Sequence, residues 1–159
     1  MSLKIDPKLD LVFERTSSLS VEKLWQGWTD PETLKKWFCP RPWRVTDCRI
    51  DLRAGGEFYT FMQGPDGEKM PNNGCYLEVI PNQKLVWTCM MTKDFRPVVP
   101  SGMGFGFVAS LFFSKSEKGS TLKAVLCHAD EESRQKHEKI GFQEGWGKAY
   151  DQLIELTKA

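Results

Sequence analysis

Six strand-length segments separated by turn signals fill residues 43–128, and one amphipathic helical stretch follows them. "WRVTDCRIDLR", "GEFYTFMQG", "NGCYLEVIP", "KLVWTCMMT", "GFGFVASLFF" and "STLKAVLCH" are rich in β-branched and aromatic residues, which suit a pleated, half-buried surface. The breaks between them carry turn chemistry: Ala54-Gly55-Gly56, Gly64-Pro65-Asp66-Gly67, Pro81-Asn82-Gln83 and Glu117-Lys118-Gly119. "LVFERT", within residues 9–19, adds one more, so the pattern predicts about seven strands. Connections this short join antiparallel neighbours. Such a sheet exposes an apolar face that another element must cover.

The helical segments are few. Ser20 is a good N-cap, and Leu24, Trp25 and Trp28 recur at helical spacing, which predicts a short helix over 21–28. Asp30-Pro31-Glu32 restarts the pattern, and Leu34, Trp37 and Phe38 share one face of a second short helix, stopped by Pro40 and Pro42. The last ~28 residues read as one long helix, with Phe142, Trp146, Ala149, Tyr150, Leu153 and Leu156 on its apolar face and Glu, Lys, Gln and Asp on the other. Gly141, Gly145 and Gly147 each weaken it by up to about 1 kcal/mol, which is tolerable where something packs closely. A kink at Gly141 is left open. Strand, two short helices, six strands and a long helix imply an α+β helix-grip fold: a curved antiparallel sheet around a C-terminal helix, usually hollow.

Bulk properties narrow the function. With 159 residues, 40% hydrophobic, the chain is expected to form a single domain, 1–159, with a genuine core. A net charge of +1 without long runs of one sign gives no footprint for nucleic acid or an anionic membrane. The N-terminus "MSLKIDPKLD" lacks the apolar block of a secretion signal, so a cytoplasmic location is expected. Five scattered cysteines without a CxxC suggest neither a disulfide scaffold nor a zinc knuckle, and two separated histidines do not argue a metal site. No cofactor is expected, and no nucleophile constellation or GxSxG elbow is visible.

Four blocks carry a resemblance. "VEKLWQGWTDPETLKKWFCP", "RIDLRAGGEFYTFMQGPDGE", "GCYLEVIPNQKLVWT" and "GFQEGWGKAYDQL" stand in the order and separation of the signature blocks of the START-like or Bet-v-1-like (SRPBCC) superfamily. They look closest to its branch named after the activator of the heat-shock-protein-90 ATPase, over nearly the whole chain. The resemblance implies the helix-grip fold. It implies a broad range of activities: relatives bind hydrophobic small molecules, act as polyketide cyclases or aromatases, bind or modify toxins, or stimulate a chaperone. The eukaryotic activator has an additional N-terminal domain that contacts the chaperone, for which 159 residues leave no room, so a chaperone partner is the reading least expected.

Candidate ligand contacts follow from position. Trp37 and Phe38 are adjacent on a helix and point about 100° apart, so one can pack inward while the other faces a cavity mouth. Trp43 enters the second strand after a stiff Pro-Arg-Pro segment and either plugs one end of the grip or meets ligand. Phe58, Trp87 and Phe107 lie on alternating faces of their strands with other bulky apolar residues, and Trp146 and Tyr150 lie on the apolar face of the last helix. Trp25 and Leu24 read as plain core. His128 ends the last strand, either as a polar group at the pocket's end or as a histidine bonded to backbone, whereas His137 sits among charged residues and is expected in solvent. Gly55-Gly56 reads as a tight turn, since a strand rather than a phosphate-cradling helix follows. The 95–107 loop, with its prolines and glycines, reads as a surface insertion, a lid or a partner contact. The leading expectation is non-catalytic binding of a small hydrophobic or aromatic molecule. An enzyme using His128 or Asp47 as proton carrier, a chaperone ATPase co-regulator, and a homodimer through loop or edge-strand surface are the alternatives.

Overall fold

The computed structural model describes residues 3–99 and 103–158. Its elements run β1 (Asp10–Ser17), α1 (Val21–Thr29), α2 (Pro31–Leu34), β2 (Arg44–Ile50), β3 (Phe58–Gln63), β4 (Lys69–Asn72), β5 (Cys75–Ile80), β6 (Lys84–Thr88), β7 (Met91–Thr92), β8 (Arg96–Pro97), β9 (Phe107–Ser116), β10 (Gly119–His128), α3 (Glu131–Lys139) and α4 (Phe142–Thr157). Five strands form one sheet in the order β1-β10-β9-β6-β5 and three form another, β2-β3-β4. A Glu57–Cys75 bridge and the Tyr76 N–H donating to the Gly56 carbonyl at 2.9 Å join the two into one curved surface. Every pairing is antiparallel. The helix-grip architecture read from the strand pattern is the one observed.

All seven expected strands are present, together with three short ones that the pattern does not reveal. β4 is four residues, "KMPN", at a sheet edge, the position where a proline such as Pro71 is tolerated. β7 and β8 are two-residue strands, and β7 takes the end of the segment read as a single strand with β6. Residues 100–102 of the 95–107 loop lie outside the described residues.

Two helical expectations are corrected. The single long C-terminal helix is two, because Gly141 takes φ +94°, a left-handed conformation that stops α3 and turns the chain into α4. Asp130 caps α3, its carboxylate accepting from the Ser133 N–H at 2.7 Å. The second short helix ends at Leu34, and Trp37 and Phe38 occupy the turns after it, both backbone N–H groups donating to the Leu34 carbonyl. The Gly55-Gly56 turn is as read, with Gly55 at φ +82°. Among the described residues no helix is long and apolar enough to cross a membrane.

α1 and α4 lie against the concave face of the five-stranded sheet. Trp25 meets Phe113 of β9 edge-on at 5.1 Å, and Phe13 of β1 packs against Trp146 and Tyr150 of α4. Leu24, Leu111, Leu126 and Leu153 are fully buried between the layers.

Candidate functional site

Between the sheet and α4 the packing opens into a cavity of about 490 Å³. Its first wall is the corner formed by α1, α2 and the following turn. Ser20 caps α1 by accepting from the Lys23 N–H, and Asp30 caps α2 by accepting from the Thr33 N–H at 3.2 Å. The Trp37 indole N–H donates to the Gly27 carbonyl at 2.9 Å, which fixes that ring edge-on to Trp28 at 4.8 Å. Phe38 meets Trp28 edge-on at 5.7 Å, so both Trp37 and Phe38 reach the cavity. Trp43 stands beside them on the wall.

The sheet supplies the floor. Phe58 of β3 stacks on Tyr76 and meets Trp87 of β6 edge-on at 5.2 Å, and Phe107 of β9 continues this surface. α4 supplies the roof with Trp146, nearly parallel to Trp87 at 6.5 Å, and Tyr150. Eight of the nine expected contact residues therefore line one cavity, and His128 does not. His128 lies behind the wall, as its backbone-bonded reading has it, with Nδ1 against the Leu9 carbonyl at 2.9 Å. Its Nε2 is 2.9 Å from Nδ1 of His137, and His137 is the histidine on the wall.

That placement corrects the expectation for His137. The ring is 6% exposed and packs against Phe105, Phe107 and Phe142 at centroid distances of 4.9, 5.0 and 5.3 Å. Burial first, and His128 beside it second, lower its pKa to about 4, so it is neutral at ordinary pH. The charged residues around it in sequence are turned outward by the helical period: Arg134 pairs with Glu138 and Lys136 with Glu132 on the exposed side of α3. A lone histidine on the inner face of so polar a helix leaves almost no periodic signal.

Neither Tyr150 nor Asp47 offers its polar group to the cavity. The Tyr150 hydroxyl donates to Ser17 Oγ of β1 at 3.0 Å, so its ring faces the cavity while its polar group is committed elsewhere. Asp47 is exposed and paired with Arg49 at 3.2 Å, away from the wall. Two thiols line the cavity, and burial pushes Cys39 up to about 11 and raises Cys89, so neither is a ready thiolate. Thr60 is buried on the wall, and its hydroxyl has no partner among the described residues.

Two residues that build the site lie outside the sequence reading's candidate set. Trp28 sits at the centre of the aromatic wall, within 6 Å of Trp37, Phe38, Trp87 and Trp146. Gln152 is buried rather than on the polar face of its helix. Its Nε2 donates to the carbonyls of Trp37 at 3.0 Å and Cys39 at 2.9 Å, and its Oε1 accepts from the Arg41 N–H at 3.0 Å. One side-chain amide thus ties the whole corner to α4. Its one sequence signal is its place beside Ala149 and Leu153 on the inner helical stripe.

The glycines of α4 divide. Gly147 packs closely, since a Cβ there would stand 3.0 Å from the Arg15 guanidinium, whereas Cβ atoms added at Gly141 or Gly145 would meet nothing within 4 Å. Both of the latter face the cavity, as does Ala149.

The family model described as "Activator of Hsp90 ATPase homolog 1-like protein" matches residues 18–158. A crystal structure of a protein from Nitrosomonas europaea is 45% identical, covers 97% of both chains and superimposes with a TM-score of 0.91. A protein from Mycobacterium smegmatis is 26% identical, over 99% of this chain and 97% of its own, at TM-score 0.79. An AHSA1-like protein from Aeromonas hydrophila, 18% identical over 94% of each chain at TM-score 0.73, shares the fold. Among curated proteins no match is found.

Proposed function

For a chain that belongs to the Activator of Hsp90 ATPase homolog 1-like family, with the START-like or Bet-v-1-like fold, we propose that the aromatic hollow under α4 binds a small hydrophobic or aromatic molecule and does not transform it. The observation that carries this reading is the cavity itself. A volume of about 490 Å³ lies in the range of small-molecule sites, roughly 300–1,000 Å³. An apolar cavity of ~150 Å³ is enough for benzene, so two or three fused rings fit here. Five of the six tryptophans, Trp28, Trp37, Trp43, Trp87 and Trp146, line it, which favours flat ring systems through stacked and edge-on contacts.

Binding without chemistry is favoured because the two residues considered as proton carriers, His128 and Asp47, stand off the wall and the thiols on it are not thiolates. Chaperone ATPase regulation draws on the family description alone. The test is a titration of intrinsic tryptophan fluorescence with naphthalene and anthracene derivatives. Saturable quenching is expected, since five emitters share the cavity wall. Flat titrations from protein shown by circular dichroism to be folded would overturn the reading.

A further inference from the structure

Among the polar groups of the cavity wall, His137 has a tautomer that its partners constrain. A backbone carbonyl only accepts, so the 2.9 Å contact between His128 Nδ1 and the Leu9 oxygen places a proton on Nδ1. With both imidazoles neutral, the other nitrogen of His128 is a lone pair, and its Nε2 accepts from Nδ1–H of His137 at 2.9 Å. The same rule applied to His137 makes its Nε2 a lone pair. That nitrogen has no partner among the described residues, and His137 is on the cavity wall. A chain of two histidines anchored on backbone therefore leaves a fixed acceptor for whatever occupies the hollow.

We propose that the cavity takes uncharged ring compounds bearing a hydroxyl or ring N–H, which donates to Nε2 of His137, and that His128 is the positioning residue that keeps this nitrogen an acceptor. The proposal rests on the binding reading above and adds the chemistry of the ligand to it. An ether or carboxylate oxygen at the same place sets lone pair against lone pair. A carboxylate would also be buried among Phe107, Phe142 and Trp146 without a cationic partner among the described residues of the wall. Phe107 and Phe142 pack tilted and edge-on against the His137 ring, so a ligand that cannot donate leaves the acceptor without a partner on this wall.

Three probes share one ring system: 2-naphthol donates, 2-methoxynaphthalene only accepts, and 2-naphthoate is an anion. At pH 7 the wild type is expected to bind 2-naphthol about five- to tenfold more tightly than 2-methoxynaphthalene, the size of one hydrogen bond, with 2-naphthoate weakest. His137→Phe, which extends the phenylalanine cluster, is expected to bind the ether undiminished and to lose the preference. Equal binding of all three by the wild type, within twofold, would overturn this proposal and leave the binding reading intact. No saturable binding of any probe would overturn both. The positioning role has its own readout: long-range ¹H–¹⁵N spectra of wild type at pH 7 are expected to show His137 as the Nδ1–H tautomer, and His128→Phe should mix its tautomers and weaken the preference. A wild-type spectrum showing Nε2–H on His137 would contradict the relay, whatever the variants do.

Discussion

Trp25 and Trp28 stand one helical turn apart on α1 and end in different surroundings. Trp25 packs edge-on against Phe113, in the solid end of the interior where Leu24 and Leu153 are fully buried. Trp28 is ringed by Trp37, Phe38, Trp87 and Trp146, in the end that stays hollow. Aromatic content does not separate the two ends. The difference comes from the facing helix, whose inner row at four-residue spacing is Gly145, Ala149 and Leu153, preceded by Gly141 at its N-cap. Leu153 reaches the Gly27 position of α1 and fills the gap, whereas the three small residues before it leave the space open. The cavity is thus a property of one helical row rather than of loose packing.

Breaking the solid end is expected to have the largest effect. Leu153→Ala should cost about 2–5 kcal/mol, read from urea midpoints, because a fully buried side chain is lost from a site with nothing to fill it. A cost below 1 kcal/mol would mean that the solid end is no better packed than the hollow one.

Acid attacks the hollow end first. The folded protein holds His137 near pKa 4 while the unfolded chain has the ordinary 6.5, so between those values the unfolded state binds more protons. Stability from this group is complete above about pH 6.5 and is lost as pH falls towards 4, by up to ~3 kcal/mol. Asp130, whose carboxyl is held below its ordinary value by hydrogen bonds from Ser133, does not titrate in that window. Urea midpoints at pH 7 and 4.5 should differ in wild type and nearly coincide in His137→Phe, and equal losses in both would assign the acid sensitivity elsewhere.

The join between the corner and α4 ranks next. Gln152→Leu keeps the volume but removes three hydrogen bonds and leaves the buried carbonyls of Trp37 and Cys39 unpaired, at about 1–3 kcal/mol. Hydrogen exchange should accelerate at the Arg41 amide; unchanged exchange there would remove Gln152 from its role.

These contrasts explain what was legible in the sequence. Strands such as β9 and β10 announce themselves through ten-residue β-rich runs and a Gly119 turn, so the sheet and its helical cover follow from local chemistry. The aromatic wall was also readable, because Trp37, Phe58, Trp87 and Trp146 each sit on an apolar face of their own element. Three-dimensional coupling was not. His137 and Gln152 are polar residues made internal by partners 9 to 115 positions away in the chain. The glycines of α4 looked alike in sequence, and only the facing layer shows that Gly147 is crowded and Gly145 is not.

The smallest expected change in stability leads to the most direct test. Gly145→Leu adds a side chain where a Cβ meets nothing within 4 Å and removes a helix-weakening glycine, so it should raise stability by about 0.5–1 kcal/mol while filling the hollow. Measuring 2-naphthol binding to wild type and Gly145→Leu side by side tests the claim that the open row of α4 creates a ligand site. Saturable binding by wild type and at least a tenfold loss in the folded variant is the predicted result. Equal affinity in the two proteins, or no binding to wild type, would contradict it.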